Sequence, residues 1–446
     1  MAQWNERMVA HLLRRAGFSG TQEEIKFYLD MGQRNAVETL LNYETIDDSE
    51  VDRQVEKARL NLDRPDGLIQ WWLLRMIFTK RPLQEKMVLF WHGHFATAIS
   101  KVKEESYMLK QNQLFRRLAL GNFEEFLLEV SKDAAMIIWL DNFTNKKGRP
   151  NENYARELME LFSMGVGNYT EMDVKESARA FTGWSIRRFN GEFFFDSNQH
   201  DFGQKTFLGE TGPLNGDDIV RIIAKQSATS RFITKKLFEF FAYPNPETAV
   251  IDRLANIYLS SNFSIKAVMR EILNSDEFYS EQAINGLIKS PTELVIGAVR
   301  QLKAQTVDFT RDLLGTLNLQ GQTLFNPPSV KGWDGGLDWI NSSSILTRYN
   351  FANSLATNRN TRGTIVDPKA LMNGKDFKKN MQVTNFFLTL LGLYDVDAAT
   401  VKTLNTYLKQ MDSGMNGAFK LDDATIDKKV RGLIHIIMSL PDFQLN

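Results

Sequence analysis

The chain contains no cysteine in 446 residues. That excludes disulfides, thiolate metal sites and cysteine nucleophiles. Histidine is scarce: His11, His92, His94, His200 and His435 are the five present, so any imidazole chemistry has few carriers. Neither charge is in excess, with 54 basic against 54 acidic residues. This argues against a general electrostatic grip on nucleic acid or anionic lipid. No apolar run approaches the roughly 20 residues of a membrane-spanning helix; the strongest, Leu68 to Phe78, is short and interrupted by Arg75. A P-loop, a GxGxxG after a strand and a GxSxG elbow are all missing, which disfavours nucleotide cofactors and a serine-hydrolase triad. The start, MAQWNERMVAHLLRRAGF, carries charge inside its only apolar stretch and no small-residue cleavage site. It reads as an amphipathic helix rather than a secretory signal, so a cytoplasmic location is expected, with periplasm or secretion the alternative for a processed chain.

What is present is an ordinary globular composition, 43% hydrophobic and 24% charged, sufficient for a substantial core. Helical spacing dominates. Met8, Leu12, Leu13 and Ala16 recur with a helical period, and Thr21 to Glu24 reads as a capping box opening a second helix with Ile25, Tyr28 and Leu29 inward. Strongly apolar helices are expected over 68–79 and 83–98, separated by the breaker Arg81-Pro82. Further helices are expected over 151–163, 173–182 and 229–241, and over 383–393, 401–411 and 426–440. Ile186, Phe189, Phe193 and Phe195, with Gly191 in a turn, suggest one β-hairpin within 186–208. A Gly/Pro/Asn-rich stretch from Gly321 to Ser344 reads as a long ordered loop. The expectation is a mostly α, multi-helix unit with one small hairpin. Its regions divide at 1–64, 65–320 and 321–446, packed as one body.

The densest chemistry lies between Asp141 and Trp184. Asp141, Asn142, Asn145, Asn151, Glu152, Asn153 and Glu157, with Arg149 and Arg156, fall within seventeen positions. Such oxygen-rich loops suit hard cations or a polar ligand such as a sugar, with Asn145, Asn151, Asn153 and Arg156 as binding groups. The bland alternative is helix capping and turn formation, with Glu152 and Arg156 as an ordinary i,i+4 pair. Glu157 and Glu160 share a helix face. Glu157, at the edge of the apolar stripe of Leu158, Leu161 and Phe162, is a candidate general acid or base if burial raises its pKa. Otherwise it pairs with Arg156 or Arg179.

His92 and His94 stand two apart in FWHGHFAT. On a continuous helix that spacing separates them by about 200°, so they converge on one metal only if the helix ends near Gly93. His200 and Asp201, a carboxylate from 152–160, or Asp141 would complete such a site; the alternative is a hydrogen-bonded core histidine beside one on a polar face. His200 and Asp201 sit with Lys205 on a loop after the hairpin, where functional groups concentrate. Trp184 and Trp333 offer aromatic faces to a ligand or simply fill the core.

Several segments together resemble a bacterial family known as domain of unknown function 1800. They include HLLRRAGF (from His11), MVLFWHGHFAT (from Met87), GRPNENYARELMELFSMG (from Gly148) and YTEMDVKESARAFTGW (from Tyr169). HDFGQKTFLG (from His200), SRFITKKL (from Ser230), LFNPPSVKGWDGG (from Leu324) and WINSSSILTRYN (from Trp339) continue the resemblance along nearly the whole chain. It implies an association with a second, alkaline-phosphatase-like protein, and no particular chemistry. Where relatives often carry a histidine within ELMELFSMG this chain has Phe162, which removes one candidate metal ligand.

The residues support two classes of function. One is an enzyme, a metal-dependent hydrolase or lyase acting on a polar envelope or extracellular molecule. It would use Glu152, Glu157, His200 and Asp201 in catalysis and a divalent metal at His92, His94 and Asp141. The other is a non-catalytic binding or scaffold protein. They are separated by whether the polar residues line one hollow or form closed, locally matched networks.

Overall fold

Two proline-initiated helices, Pro65–Phe78 and Pro82–His94, form the centre of the molecule. Proline at the first position costs no hydrogen bond because that N–H is unpaired in any helix. Both helices are buried around most of their circumference, and Trp72 and Trp91 are completely enclosed. The polar groups carried inward are matched: Glu85 accepts from Arg116 at 2.6 and 2.8 Å and from the Trp72 indole at 3.0 Å. The computed structural model describes residues 3–187, 189–306, 308, 310–359, 363–410 and 419–446.

Around this pair the fold is mostly α. The first helix, Glu6–Arg15, is capped by the Asn5 side chain, and the next, Gln22–Met31, opens on the expected capping box of Thr21 and Glu24. One continuous cluster of buried apolar side chains runs from Met8 to Phe443. The helix expected to reach residue 98 ends at His94, where Phe95 leaves helical geometry with ψ 52°. The last expected helix is present and continuous from Asp423 to Ser439, widened to π geometry over Ile426–Val430. Met411, the expected end of another, lies outside the described residues; that helix is observed over Ala398–Lys409.

The hairpin is present: Trp184–Ile186 pairs antiparallel with Phe193–Phe195, and Gly191 turns at φ 69°. Two more two-stranded ladders accompany it, Lys205–Phe207 with Glu210–Gly212 and Gln305–Thr306 with Thr364–Ile365. Strands of two or three residues leave no alternation to read, so periodicity could not reveal them. The 321–344 stretch is irregular until Gly336–Trp339, and Asn341 then caps the Ser342–Thr357 helix.

Candidate functional site

The asparagine-rich turn is a hydrogen-bonded network, closed except at Asn142, whose buried Nδ2 has no partner. Asp141 adopts a left-handed conformation at φ 58°, and its carboxylate accepts from Lys101 at 2.9 Å. Buried Asn145 donates to the Ala178 carbonyl at 2.9 Å and to Asn142 Oδ1 at 3.2 Å, and accepts the Asn151 N–H at 3.0 Å. Asn151 donates to Thr144 Oγ1 at 2.9 Å and accepts the Asn153 N–H at 3.0 Å. Asn153 in turn donates to the Leu140 carbonyl at 3.1 Å. Each amide satisfies backbone groups that an irregular loop would otherwise leave without partners. The Asn145 carbonyl also accepts the Gly183 N–H at 3.0 Å, tying the turn to the hairpin.

This frame lines an open groove of about 1060 Å³. Phe143, Lys146, Arg149, Glu152 and Ser185 face it, with Ile138, Thr144, Pro150, Asn151 and Ile186 completing the walls. Phe143 is partly exposed. The groove therefore combines two cations, one carboxylate, hydroxyl and amide groups, and an aromatic ring. Glu152 pairs with Arg156 at 3.3 Å, and Arg156 pairs with Glu171 at 2.8 Å.

Glu157 receives neither of the arginines offered by the sequence. Arg156 is engaged as above, and Arg179 pairs with Glu176 and Asp201, each at 2.8 Å. Burial raises the Glu157 carboxyl above the usual range, and the nearby Glu160 charge adds to the effect. The Glu160 carboxylate accepts from the Tyr169 hydroxyl at 2.9 Å.

His200 lies buried between the rings of Phe195 and Phe202, and its Nδ1 donates to the Thr182 carbonyl at 2.8 Å. Burial lowers its pKa, so the neutral imidazole is favoured. Asp201 turns away from it to Arg179 and to the Gly203 N–H at 2.8 Å, and the Arg179 hydrogen bond holds its carboxyl down to about 2. Lys205 donates to the carbonyls of Asp201 and Gly203. The pair thus shapes the loop locally instead of forming a base with its orienting acid.

His92 and His94 belong to another environment. His92 Nε2 accepts the Phe325 N–H at 3.0 Å, so Nδ1 carries the proton. Its ring packs against Trp72, Phe325 and Trp333, and burial depresses its pKa to about 3. His94 Nε2 donates to the Phe162 carbonyl at 3.0 Å, and its Nδ1 faces Lys236 Nζ at 3.4 Å. Burial lowers the Lys236 amine to about 8; Glu239 opposes that shift and the Lys331 charge adds to it. Trp333 is half-buried and donates to the Gly321 carbonyl at 3.1 Å, whereas Trp184 is buried against Phe181 and Phe193.

The structure places Asp141, Asn145, Asn151 and Glu152 in one turn, with Asn153 and Arg156 on the Asn153–Glu160 helix that follows. It gives His92, His94 and His200 neighbours that do not overlap. Among the described residues no group of three or more histidine, aspartate or glutamate side chains is arranged to hold a metal ion. The donor sets of His92, His94 and Asp141 are each engaged by an amide, a carbonyl or an ammonium group. Phe143, Lys146 and Ser185 of the groove, and Lys236 beside His94, were missed from sequence. Isolated lysines, serines and phenylalanines give no signal until the fold assembles them.

No curated protein and no solved structure matches the chain. A family model described as protein of unknown function (DUF1800) matches residues 11–445. With nearly its whole length covered, the chain belongs to the DUF1800 family.

Proposed function

We propose that this protein is a binding protein whose groove beside the Asp141–Asn153 turn takes a polar, sugar-like ligand bearing negative charge. The supporting observation is the division of labour within the turn. Asn145, Asn151 and Asn153 spend their hydrogen bonds within the turn and on the Ala178 carbonyl, while the side chains of Lys146, Arg149 and Phe143, which line the same groove, make no part of that network. A rigid frame presenting cations beside an aromatic face suits a ring compound with an acidic substituent, which stacks on Phe143 and pairs with Arg149. The dispersal of the three histidines favours binding over metal-assisted hydrolysis. Partnership with an alkaline-phosphatase-like protein is a separate proposal, tested by co-purification of the two chains.

Calorimetric titration with trigalacturonate, and with neutral maltotriose as control, tests the reading. The acidic trisaccharide is expected to bind and the neutral one to bind at least about tenfold more weakly, a difference of ~1.4 kcal/mol. Arg149→Ala removes that preference without lowering the melting temperature. Equal binding of both sugars, or none of either, contradicts the proposal.

A further inference from the structure

The Pro65–Phe78 helix begins without a cap. Arg64, the residue before it, places no side-chain acceptor on the first turn, and the first N–H bonded back to that residue's carbonyl is that of Leu68. Pro65 has no N–H, so those of Asp66 and Gly67 have no partner within the helix and stand at the positive end of its dipole. The loop leading in is held tightly against this end. A Cβ built on Gly67 would lie 1.9 Å from the Asn61 carbonyl oxygen, so only glycine admits the loop here.

Beside this helix start lies a cleft of about 450 Å³, lined by Arg59, Arg64, Asp66, Gln70, Asp308 and Arg311 among others. That is within the roughly 300–1,000 Å³ of small-molecule pockets. Among the described residues the side chains of Arg59 and Arg64 have neither an ion pair nor a hydrogen bond. Arg311 stands 3.9 Å from Asp308, beyond hydrogen-bonding distance. Gln70 singles the cleft out. It is only 7% exposed, yet its amide has no hydrogen-bond partner among the described residues. Helical side chains lean toward the N-terminus, so Gln70, four residues on from Asp66, reaches back toward the uncapped end. A buried amide without a partner is costly unless whatever fills the cleft supplies one.

We propose that this cleft binds a small phosphate monoester that also carries hydroxyl groups. The phosphate would take the guanidinium groups of Arg59, Arg64 and Arg311 and the free N–H groups of Asp66 and Gly67. The hydroxyls would take the Gln70 amide and the carboxylates of Asp66 and Asp308. Three guanidinium groups against two carboxylates suit an anion with hydrogen-bond donors beside it better than a bare anion. The cleft shares no lining residue with the groove, and neither proposal depends on the other.

Glucose 6-phosphate is the probe, titrated calorimetrically into full-length protein with glucose and inorganic phosphate as controls. It should bind at least about tenfold more tightly than either control. Arg64→Ala and Gln70→Leu should each weaken it at least about tenfold. Neither should lower the melting temperature, because neither side chain spends a hydrogen bond within the protein. No binding of glucose 6-phosphate, an affinity matched by either control, or binding that either variant leaves intact overturns the inference.

Discussion

Gly332 rests on the backbone of Gly93: a Cβ built on Gly332 would lie 2.2 Å from the Gly93 carbonyl oxygen. The contact closes the KGW loop over the end of the histidine-bearing helix. It also puts Trp333 against His92, with ring centroids 5.6 Å apart. Gly332 adopts φ 85°, a conformation that side-chain-bearing residues avoid, so both sterics and backbone demand glycine there. Gly332→Ala is expected to destabilise the protein by about 2–4 kcal/mol in urea unfolding. A change below about 0.5 kcal/mol would mean that the loop does not pack this way.

His92 makes stability depend on pH in one direction. Its folded pKa of about 3 lies below the ordinary value of 6.5. Its contribution is therefore present above pH 6.5 and lost as pH falls toward 3. By pH 5 the loss from this one group is about 2 kcal/mol. His92→Gln removes this titration, so its stability should fall less steeply than the wild type's between pH 7 and pH 5. Parallel pH profiles for the two proteins would refute the buried neutral imidazole.

Asn145 is the keystone of the turn. Asn145→Ala would strand the Ala178 carbonyl and the Asn151 N–H, costing about 2–3 kcal/mol by urea unfolding. It should also weaken any ligand held by Arg149, which sits on the same turn. Loss of affinity with stability unchanged would instead mean that Asn145 touches ligand directly.

Glu85 tests the centre of the fold. Glu85→Gln leaves Arg116 and Arg75 without their shared buried carboxylate. A loss of about 3 kcal/mol is expected, because an unpaired buried charge costs more than the pair contributes. Equilibrium unfolding of this variant beside the wild type measures it; a loss under about 1 kcal/mol would show that water reaches the site.

The long helices were legible because their apolar period, prolines and capping residues all agree, as at Thr21 with Glu24 and at Pro65 and Pro82. The asparagine cluster was legible as a place but not as a role. The same amides serve a ligand or a backbone equally well until partners such as the Ala178 and Leu140 carbonyls are known. The end of the helix at His94 was ambiguous for a related reason. Phe95 and Ala96 suit a helix, and what stops it is tertiary: the Phe325 N–H, the Phe162 carbonyl and the Gly332 contact all arrive from distant segments. Pairing between imidazoles and acids far apart in the chain was similarly unreadable: His92 and His94 bond backbone groups of Phe325 and Phe162, and Asp201 pairs with Arg179.

The central claim is that the turn is a frame and the groove beside it is the site. Hydrogen–deuterium exchange of the protein with and without trigalacturonate addresses it most directly. The account predicts slowed exchange confined to 143–152 and 185–186, with no change around His92 or His200. Protection centred on either histidine, with the groove unaffected, would contradict it.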